Sequence, residues 1–465
     1  MEKHRILKML QAGASLSQTM IEELITEHHG RAIHLERLYD MYQADKLEIQ
    51  RRRFSDPTKI NNRLNNDFFA VIIDQVVGYM YGNAITYSVD GEAYNESQYV
   101  VNDDYLQKFI ERNNLGDSDS ELGKYVSIYG HAFRLCYVDR DGEYRVMNLK
   151  PTEVIALEEN DELFYALRYY STYDAKGNEI MRVEWYDDTH ITIYEQFMNK
   201  HGVKRFKLVS QEPHLFNYVP IIKFSNNAEE LGDFEKVLPL IEAYDRLVSD
   251  VQNELEEFRQ AYMVFDGGAV IDKETVLNAR QSGAFSLPEG SKAYFLTKSM
   301  DSNMIEKQRK TLEENIYKFS KSVNMDDEKF SGSSQSGESR KWKLIDLENK
   351  AITKERKFTK GLQEMFKVLC SSFETRGIHL DYLDIYYTFN RNLPNDLSYI
   401  VDVANDLQGI VSQKTILELL PVVDNVEYEI EQIKEEKEAN DIYANTFKQP
   451  QDLEDADEVK EDELE

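Results

Sequence analysis

The alternation of apolar and polar positions divides the chain into a mixed first half and a helical second half. Leu24, Ile25, Leu35, Leu38, Tyr39, Tyr42 and Leu47 recur at helical spacing and predict a helix from Gln18 to Arg53. An apolar stretch starting near Asn66 predicts a second helix that stops at Gly82. From Ala132 to Ala156, and again from Leu163 to Phe197, β-branched and aromatic residues alternate with polar ones. Asp141-Gly142 and Lys176-Gly177-Asn178 supply hairpin turns, so both stretches are predicted to be strands. Val219-Pro220-Ile221-Ile222 closes this region ahead of a polar turn, NNAEELGD.

The period then lengthens. Phe234, Val237, Leu238, Ile241, Tyr244, Val248, Val251, Leu255, Phe258 and Tyr262 step by threes and fours, a single helical seam, with Asp233 placed to cap it and Pro239 early in it. Short strands at Met263–Phe265, Val270–Ile271, Phe285–Leu287 and Tyr294–Leu296, and a helix near Lys273–Arg280, form an interruption turned by Gly267-Gly268 and Pro288-Glu289-Gly290. A second long helix is predicted from Asp301 to Val323, with Ile305, Leu312, Ile316, Phe319 and Val323 on one face. At about 100° per residue, Lys307, Lys310, Lys318 and Lys321 cluster around the opposite pole. A third helix, from Arg340 to Thr375, turns Trp342, Ile345, Ile352, Leu362, Met365, Phe366, Leu369 and Phe373 inward. A strand at Ile385–Phe389 and helices from Asp396 to Leu420 and from Val426 to Asn440 follow. The end, QDLEDADEVKEDELE, is almost wholly acidic and predicts a disordered tail. The fold class is α+β and mainly helical.

Composition narrows the function. The 465 residues suffice for several domains, and the longest apolar run, FFAVII, is far too short to span a membrane. The N-terminus MEKHRILKML lacks the apolar core of a signal peptide, which points to an intracellular protein. With 85 acidic against 55 basic residues the net charge is −30, which opposes tight nonspecific binding to nucleic acid and leaves room for transient contact at a local basic group. Cys136 and Cys370 sit in apolar stretches and are expected to be reduced, buried thiols.

Chemical motifs are few. GSSQSGES, Gly332 to Ser339, has the glycine spacing of a phosphate-binding loop, but Glu338 replaces the lysine. An amphipathic helix and MDDEKF precede it, where a phosphate loop needs a buried strand, so the stretch is a polar connection and not a nucleotide site. Helix connections in bundles usually need about 2–8 residues. The stretch from Met325 to Ser339 is longer than that, so it reaches toward something. His28, His29 and His34 with Glu27 do not fall at the i, i+4 spacing of a helical zinc site, and Asp326, Asp327 and Glu328 are ordinary solvated carboxylates. With no C-x-x-C, H-E-x-x-H, G-x-S-x-G or H-R-D pattern, neither an enzyme nor a cofactor or metal is expected.

Five stretches carry a resemblance. They are LYDMYQADKLEIQRRR, NNRLNNDFFAVIIDQVVGYMYGNAITY, GKYVSIYGHAFRLCYVDRDGEYRVMNLKPTEVIAL, VPIIKFSNNAEELGDFEKVLPLIEAYDRLVSDVQNELEEF and FNRNLPNDLSYIVDVANDLQGIVSQKTILELLPVVDNVEYEIEQI. In this order they resemble the portal proteins of tailed bacteriophages, the siphophage-type head-to-tail connectors. The resemblance implies a homo-oligomeric ring, usually a dodecamer, at one capsid vertex of the virion, through which double-stranded DNA is packaged and ejected. It implies assembly in the host bacterial cytoplasm, and as partners the terminase large subunit, which hydrolyses ATP, head-completion and adaptor proteins, and the major capsid and scaffolding proteins, with no membrane. Mapped here, it implies a wing over 1–232, stem helices over 233–262 and 301–324 flanking a clip at 263–300, and a tunnel loop at 325–340. A long helix and wing return strand over 341–393, a helical crown over 394–440 and a disordered tail at 441–465 complete it. The tunnel-loop residues expected to meet DNA are Lys329, Ser333, Ser334, Gln335, Ser336 and Arg340, joined by the stem lysines Lys307, Lys310, Lys318 and Lys321. Tyr244, Val248, Val251, Leu255, Phe258, Leu312, Ile316 and Phe319 are the expected subunit seam. An oligomeric intracellular helical scaffold or adaptor, without DNA passage, is the other open reading; a ring with a channel wide enough for a duplex separates the two.

Overall fold

Ser17 starts the first long helix, its hydroxyl accepting the Met20 N–H at 3.2 Å. In the computed structural model the described residues are 2–174, 176–198, 202–259, 262–266, 292–296, 301–325, 344–373, 376–392 and parts of 401–434, with single positions at 274, 277 and 290. The chain divides into two units, Met1–Ser334 with Arg340–Asn392, and Gln335–Ser339 with Leu393–Glu465. Helices and antiparallel sheets mix throughout the first, as expected for an α+β chain.

Its elements in order are α1 (Glu2–Gln11), α2 (Gln18–Tyr42), α3 (Glu48–Arg51), α4 (Phe68–Tyr81), β1 (Thr86–Val89), α5 (Glu96–Arg112) and α6 (Leu115–Tyr129). Strands β2 (His131–Val138), β3 (Tyr144–Leu149), β4 (Val154–Glu159), β5 (Glu162–Tyr173), β6 (Glu179–Tyr186), β7 (His190–Met198), β8 (Lys204–Pro213) and β9 (Ile221–Ser225) follow. Then come α7 (Leu238–Arg259), β10 (Tyr262–Asp266), β11 (Lys292–Leu296), α8 (Ser302–Ser320), α9 (Ile345–Phe373) and β12 (Ile385–Thr388). β4 to β8 form a five-stranded meander, β3-β2-β9 a three-stranded sheet, and β1-β12 and β10-β11 two-stranded pairs.

Three of the apolar cores among the described residues join these layers as follows. Ile6, Leu7, Ile21 and Leu24 of α1 and α2 cover Leu157, Leu167, Val183 and Trp185 on the meander. Phe133, Leu135 and Ile221 pack against Val154, Ala166 and Tyr186, sealing the two larger sheets together. The third core gathers Leu35 and Leu38, Phe69, Ile72 and Ile73, Ile128 and Tyr129, Phe234 and Ile241, and Leu312 and Ile316. FFAVII is thus the start of a core helix that meets neighbours on several sides.

Several predicted elements change. The helix expected over Gln18–Arg53 breaks after Tyr42, where Ala44 and Lys46 adopt left-handed φ of 54° and 51°. The Gln50 side chain organises the break, donating to the Ala44 carbonyl at 2.9 Å and accepting the Leu47 N–H at 3.1 Å. Ile345, expected inward, is 45% exposed at the start of α9, and Trp342 lies outside the described residues. In the second unit the helix expected over Asp396–Leu420 is interrupted before α10 (Gln413–Glu418), with Gly409 at φ +87° in the break. The strands expected at Met263–Phe265 and Tyr294–Leu296 are paired as β10 and β11. Those at Val270–Ile271 and Phe285–Leu287, most of the helix near Lys273–Arg280, and the acidic tail lie outside the described residues.

Asp233 does not cap α7. A 3-10 turn at Glu235–Val237 leads into α7, and the Asp233 carboxylate is turned into the core instead. There the buried Lys354 of α9 donates to Asp233 Oδ2 at 2.7 Å, Asn226 Oδ1 at 2.6 Å and Ser127 Oγ at 2.7 Å, which occupies all three of its protons. Lys350 lies 3.3 Å from Asp233 Oδ1 and donates to the Ser320 carbonyl at 3.0 Å. Asp233 N–H donates to the Ser127 carbonyl at 2.8 Å. Burial pushes the Asp233 carboxyl up, but the Lys350 and Lys354 ammoniums with the hydrogen bonds from Lys354 and Asn226 outweigh it and hold it at about 2. Nearby, Gly130 sits at φ +84° where the Glu230 carbonyl leaves no room for a side chain.

Removing one member of this group leaves a buried charge unpaired. Asp233→Asn is expected to lower unfolding free energy by about 3–5 kcal/mol in urea titration at neutral pH. Because the folded carboxyl titrates near 2 and the ordinary value is 3.8, its contribution is present above about pH 4 and is lost as pH falls toward 2. Asp233→Asn should flatten that acid limb; an unchanged limb would contradict the assignment.

Candidate functional site at the stem

α7 and α8 pack on each other, and the antiparallel pair β10-β11 lies between them in the chain order. With 22 residues, α7 is about 33 Å long at about 1.5 Å per residue. Its root is fixed by the third core: the Phe68 ring stands edge-on to Tyr244 at 5.1 Å and to Tyr317 at 5.8 Å. Arg309 of α8 donates to Tyr244 Oη at 3.2 Å, tying the two helices to each other, and is held in place along α8 by Glu306 at 2.7 Å and Glu313 at 2.9 Å.

A second face of α7 is covered by the chain between α3 and α4. The backbone N–H groups of Asn62, Leu64 and Asn66 donate in turn to Asn253 Oδ1 at 2.7 Å, Ser249 Oγ at 3.0 Å and Asp245 Oδ1 at 2.9 Å. Alternate residues of an extended chain advance about 6.6 Å and every fourth residue of a helix about 6 Å, so the two spacings match. Arg52 adds an ion pair to Asp250. Burial raises the Asp245 carboxyl above its ordinary value, against the opposing pull of its bonds from Asn66. Asp245, Ser249 and Asn253 were not singled out from sequence; the signal was a polar residue at every fourth position beside the apolar seam.

The predicted seam residues divide. Tyr244, Leu312 and Ile316 are buried inside this one chain, where the roots of α7 and α8 pack on α4. Val248 and Val251 are half-buried, Leu255 and Phe319 are 50% and 55% exposed, and the Phe258 side chain lies outside the described residues. Lys307, Lys310, Lys318 and Lys321 are all exposed. Glu314 falls among them on the helical wheel, and Lys321 has left the helix, capping α8 at a left-handed φ of 57°. Lys329, Ser333, Ser334, Gln335, Ser336 and Arg340 lie outside the described residues.

Elsewhere, among the described residues, no three His, Cys, Asp or Glu side chains converge as a metal site. His28 has Nδ1 2.8 Å from Tyr169 Oη, and burial first, then the nearby Arg31 and Lys3 charges, lower it to about 4. Cys136 and Cys370 are free and buried, and burial pushes both thiols up to about 12. No described helix is long and apolar enough to cross a membrane.

Residues 21–443, which include α7, α8 and the elements that root them, match the model of the family "Phage portal protein, SPP1 Gp6-like". The chain belongs to that family. The portal protein of Bacillus phage SPP1 is 25% identical over 445 residues, covering 90% of this chain and 86% of its own length. The portal protein of Clostridium phage phiCD119 is 24% identical over 408 residues, covering 82% and 86%.

For a phage portal protein the division of the seam has a measurable consequence. Leu255→Asp and Phe319→Asp place charge on surface and should leave the melting temperature of the isolated subunit nearly unchanged while weakening self-association. Leu312→Asp places charge in the core and should unfold the subunit. Light scattering and thermal melting of the three variants check this. Self-association surviving both surface changes would remove the stem from the contact.

Proposed function

We propose that this portal protein assembles as a ring of about twelve copies at one capsid vertex and serves as the channel for DNA packaging and ejection. Membership of the portal family across residues 21–443 is the observation that carries the reading. The stem geometry supports it. α7 and α8 spend one side on the body, α7 spends another under the 62–66 segment, and the pair leaves Leu255, Met304 and Phe319 open to a neighbouring copy. Lys307, Lys310, Lys318 and Lys321 are then the channel face. In this ring the segment around Gly332–Ser339 is the tunnel loop, whose Lys329, Ser333, Ser334, Gln335, Ser336 and Arg340 brush passing phosphates.

Electrostatics favours passage over binding. A chain of net charge −30 repels DNA on average, and a few exposed lysines per subunit give weak, salt-sensitive contacts. Every well-paired phosphate would raise the barrier to sliding, so a sparse stripe interrupted by Glu314 suits movement. The ring has no catalysis of its own. The terminase large subunit drives packaging from the clip at 263–300, head-completion and adaptor proteins later replace it there, and the crown over 394–440 faces the capsid interior built by major capsid and scaffolding proteins.

Light scattering and electron microscopy of the same purified peak test the assembly. The expected result is a ring with a central channel wide enough for a duplex. A compact dimer without a channel at any concentration would overturn the reading. Deleting Gly332 to Gly337 should leave the ring intact and reduce packaged DNA; normal packaging by that variant would remove the loop from the mechanism.

A further inference from the structure

Between Glu48 and Asn66 the chain carries five basic residues and two acidic ones, in a protein whose acids outnumber its bases by 85 to 55. The fold gathers that charge. Arg63 donates to the Gln50 carbonyl at 3.1 Å, and Asn61 Nδ2 donates to the Arg52 carbonyl at 3.1 Å, so residues 50–53 and 61–63 lie side by side at the base of a loop. Arg51, Arg53 and Arg63 therefore share that base, and Lys59 stands two residues before the Asn61 crossing. All four are exposed, and none of their side chains has an ion pair among the described residues.

The loop is held in place on α7. Arg52 turns inward, pairing with Asp250 and lying over the Phe54 ring at 4.5 Å. The returning chain is fixed by the Asn62 and Leu64 N–H bonds to Asn253 and Ser249. Of the two acids, Asp56 accepts the Thr58 N–H at 2.9 Å and the Thr58 hydroxyl at 2.7 Å at the tip, and Glu48 is exposed in the first turn of α3. Four cations are thus presented on a backbone that is already ordered, so little conformational freedom is lost when they meet an anion.

The partner follows from what this surface lacks. A protein interface needs apolar anchors as well as charge. Here Phe54 and Ile60 are half-buried, and Leu64, 40% exposed, is the single large apolar side chain left open between Glu48 and Asn66. Three of the four cations are arginines, whose planar forks pair with phosphate oxygens two at a time. We propose that Arg51, Arg53, Lys59 and Arg63 form a contact for the phosphate backbone of duplex DNA, carried on α7 and additional to the lysines of α8. That the ligand is a row of phosphates stands on this geometry; that the phosphates belong to DNA in transit rests on the channel reading above.

Anisotropy of a fluorescein-labelled duplex of about 20 base pairs, titrated with the full chain between about 50 and 200 mM NaCl, measures the contact. Four phosphate contacts predict an association constant that falls with about the third to fourth power of salt concentration. Arg51→Gln/Arg53→Gln should lower that exponent by about two and weaken binding about tenfold at low salt. Its melting temperature should not move, since neither side chain bonds to a described residue. Arg51→Lys/Arg53→Lys keeps the charge and should keep the exponent. No binding by the unaltered chain at the lowest salt, or an unchanged exponent in Arg51→Gln/Arg53→Gln, overturns the inference. Polyglutamate that competes as well as unlabelled duplex at equal charge overturns the assignment to nucleic acid and points to an acidic protein segment. A lowered exponent in Arg51→Gln/Arg53→Gln upholds the contact even if the chain forms no ring, an outcome that would count against the channel reading alone.

Discussion

The rest of the unit depends on the buried contact between Asp233 and Lys354. An ammonium and a carboxylate removed from water each carry a desolvation penalty of several kcal/mol, and their attraction offsets it only when the remaining protons and lone pairs are also satisfied. Here they are: Ser127 brings α6, Asn226 brings the end of β9, Lys350 brings the last turn of α8, and Asp233 itself opens the approach to α7. Apolar packing already holds these elements closely. A lysine with all three protons on named acceptors adds directional contacts to it, tying α9 to α6, to the end of β9 and to the approach to α7. That is why Asp233 is unavailable as a helix cap, and why a 3-10 turn intervenes.

The second constraint is α4. Its apolar faces root α7 and α8 through Phe68, Phe69, Ile72 and Ile73, and its polar positions Gln75 and Tyr79 receive the chain on either side of 326–343. One helix therefore contacts α7, α8, the chain just past α8 at Val323 and the first turn of α9 at Glu348. Arg134, fully buried, performs a similar task at the opposite sheet, donating to Asp119 at 2.7 Å and Asn148 at 2.9 Å while Asp119 accepts the Tyr87 hydroxyl.

What the sequence disclosed follows from what periodicity can encode. α4, α7, α8 and the strands from β2 to β7 announced themselves because one or more faces are apolar at a regular step. The break after Tyr42 did not, since Leu47 and Ile49 remain buried across it and keep the apolar count intact. α5 was missed because it is polar overall and leaves Val100 and Val101 exposed, and α6 because its two glycines and three serines weaken any helical signal. β8, with Lys204, Lys207 and Gln211 along it, lacks clean alternation. Lys354 and Asp245 were invisible for a deeper reason: a polar residue buried by partners far away in the chain looks, in sequence, like a solvated one.

The same limit governed the stem. A seam of apolar residues states that a face is buried without naming what buries it. On α7 and α8 the root of that seam belongs to the chain's own core, through Tyr244, Leu312 and Ile316, whereas Leu255 and Phe319 remain open. The 62–66 segment then withdraws the polar stripe of Asp245, Ser249 and Asn253 from water. With those faces occupied, only a narrow apolar remainder of α7 and α8 stays exposed, and the lysines lie on a separate part of α8. The residues that fold these two helices onto the body are therefore distinct from Leu255 and Phe319, the large apolar side chains that they leave exposed.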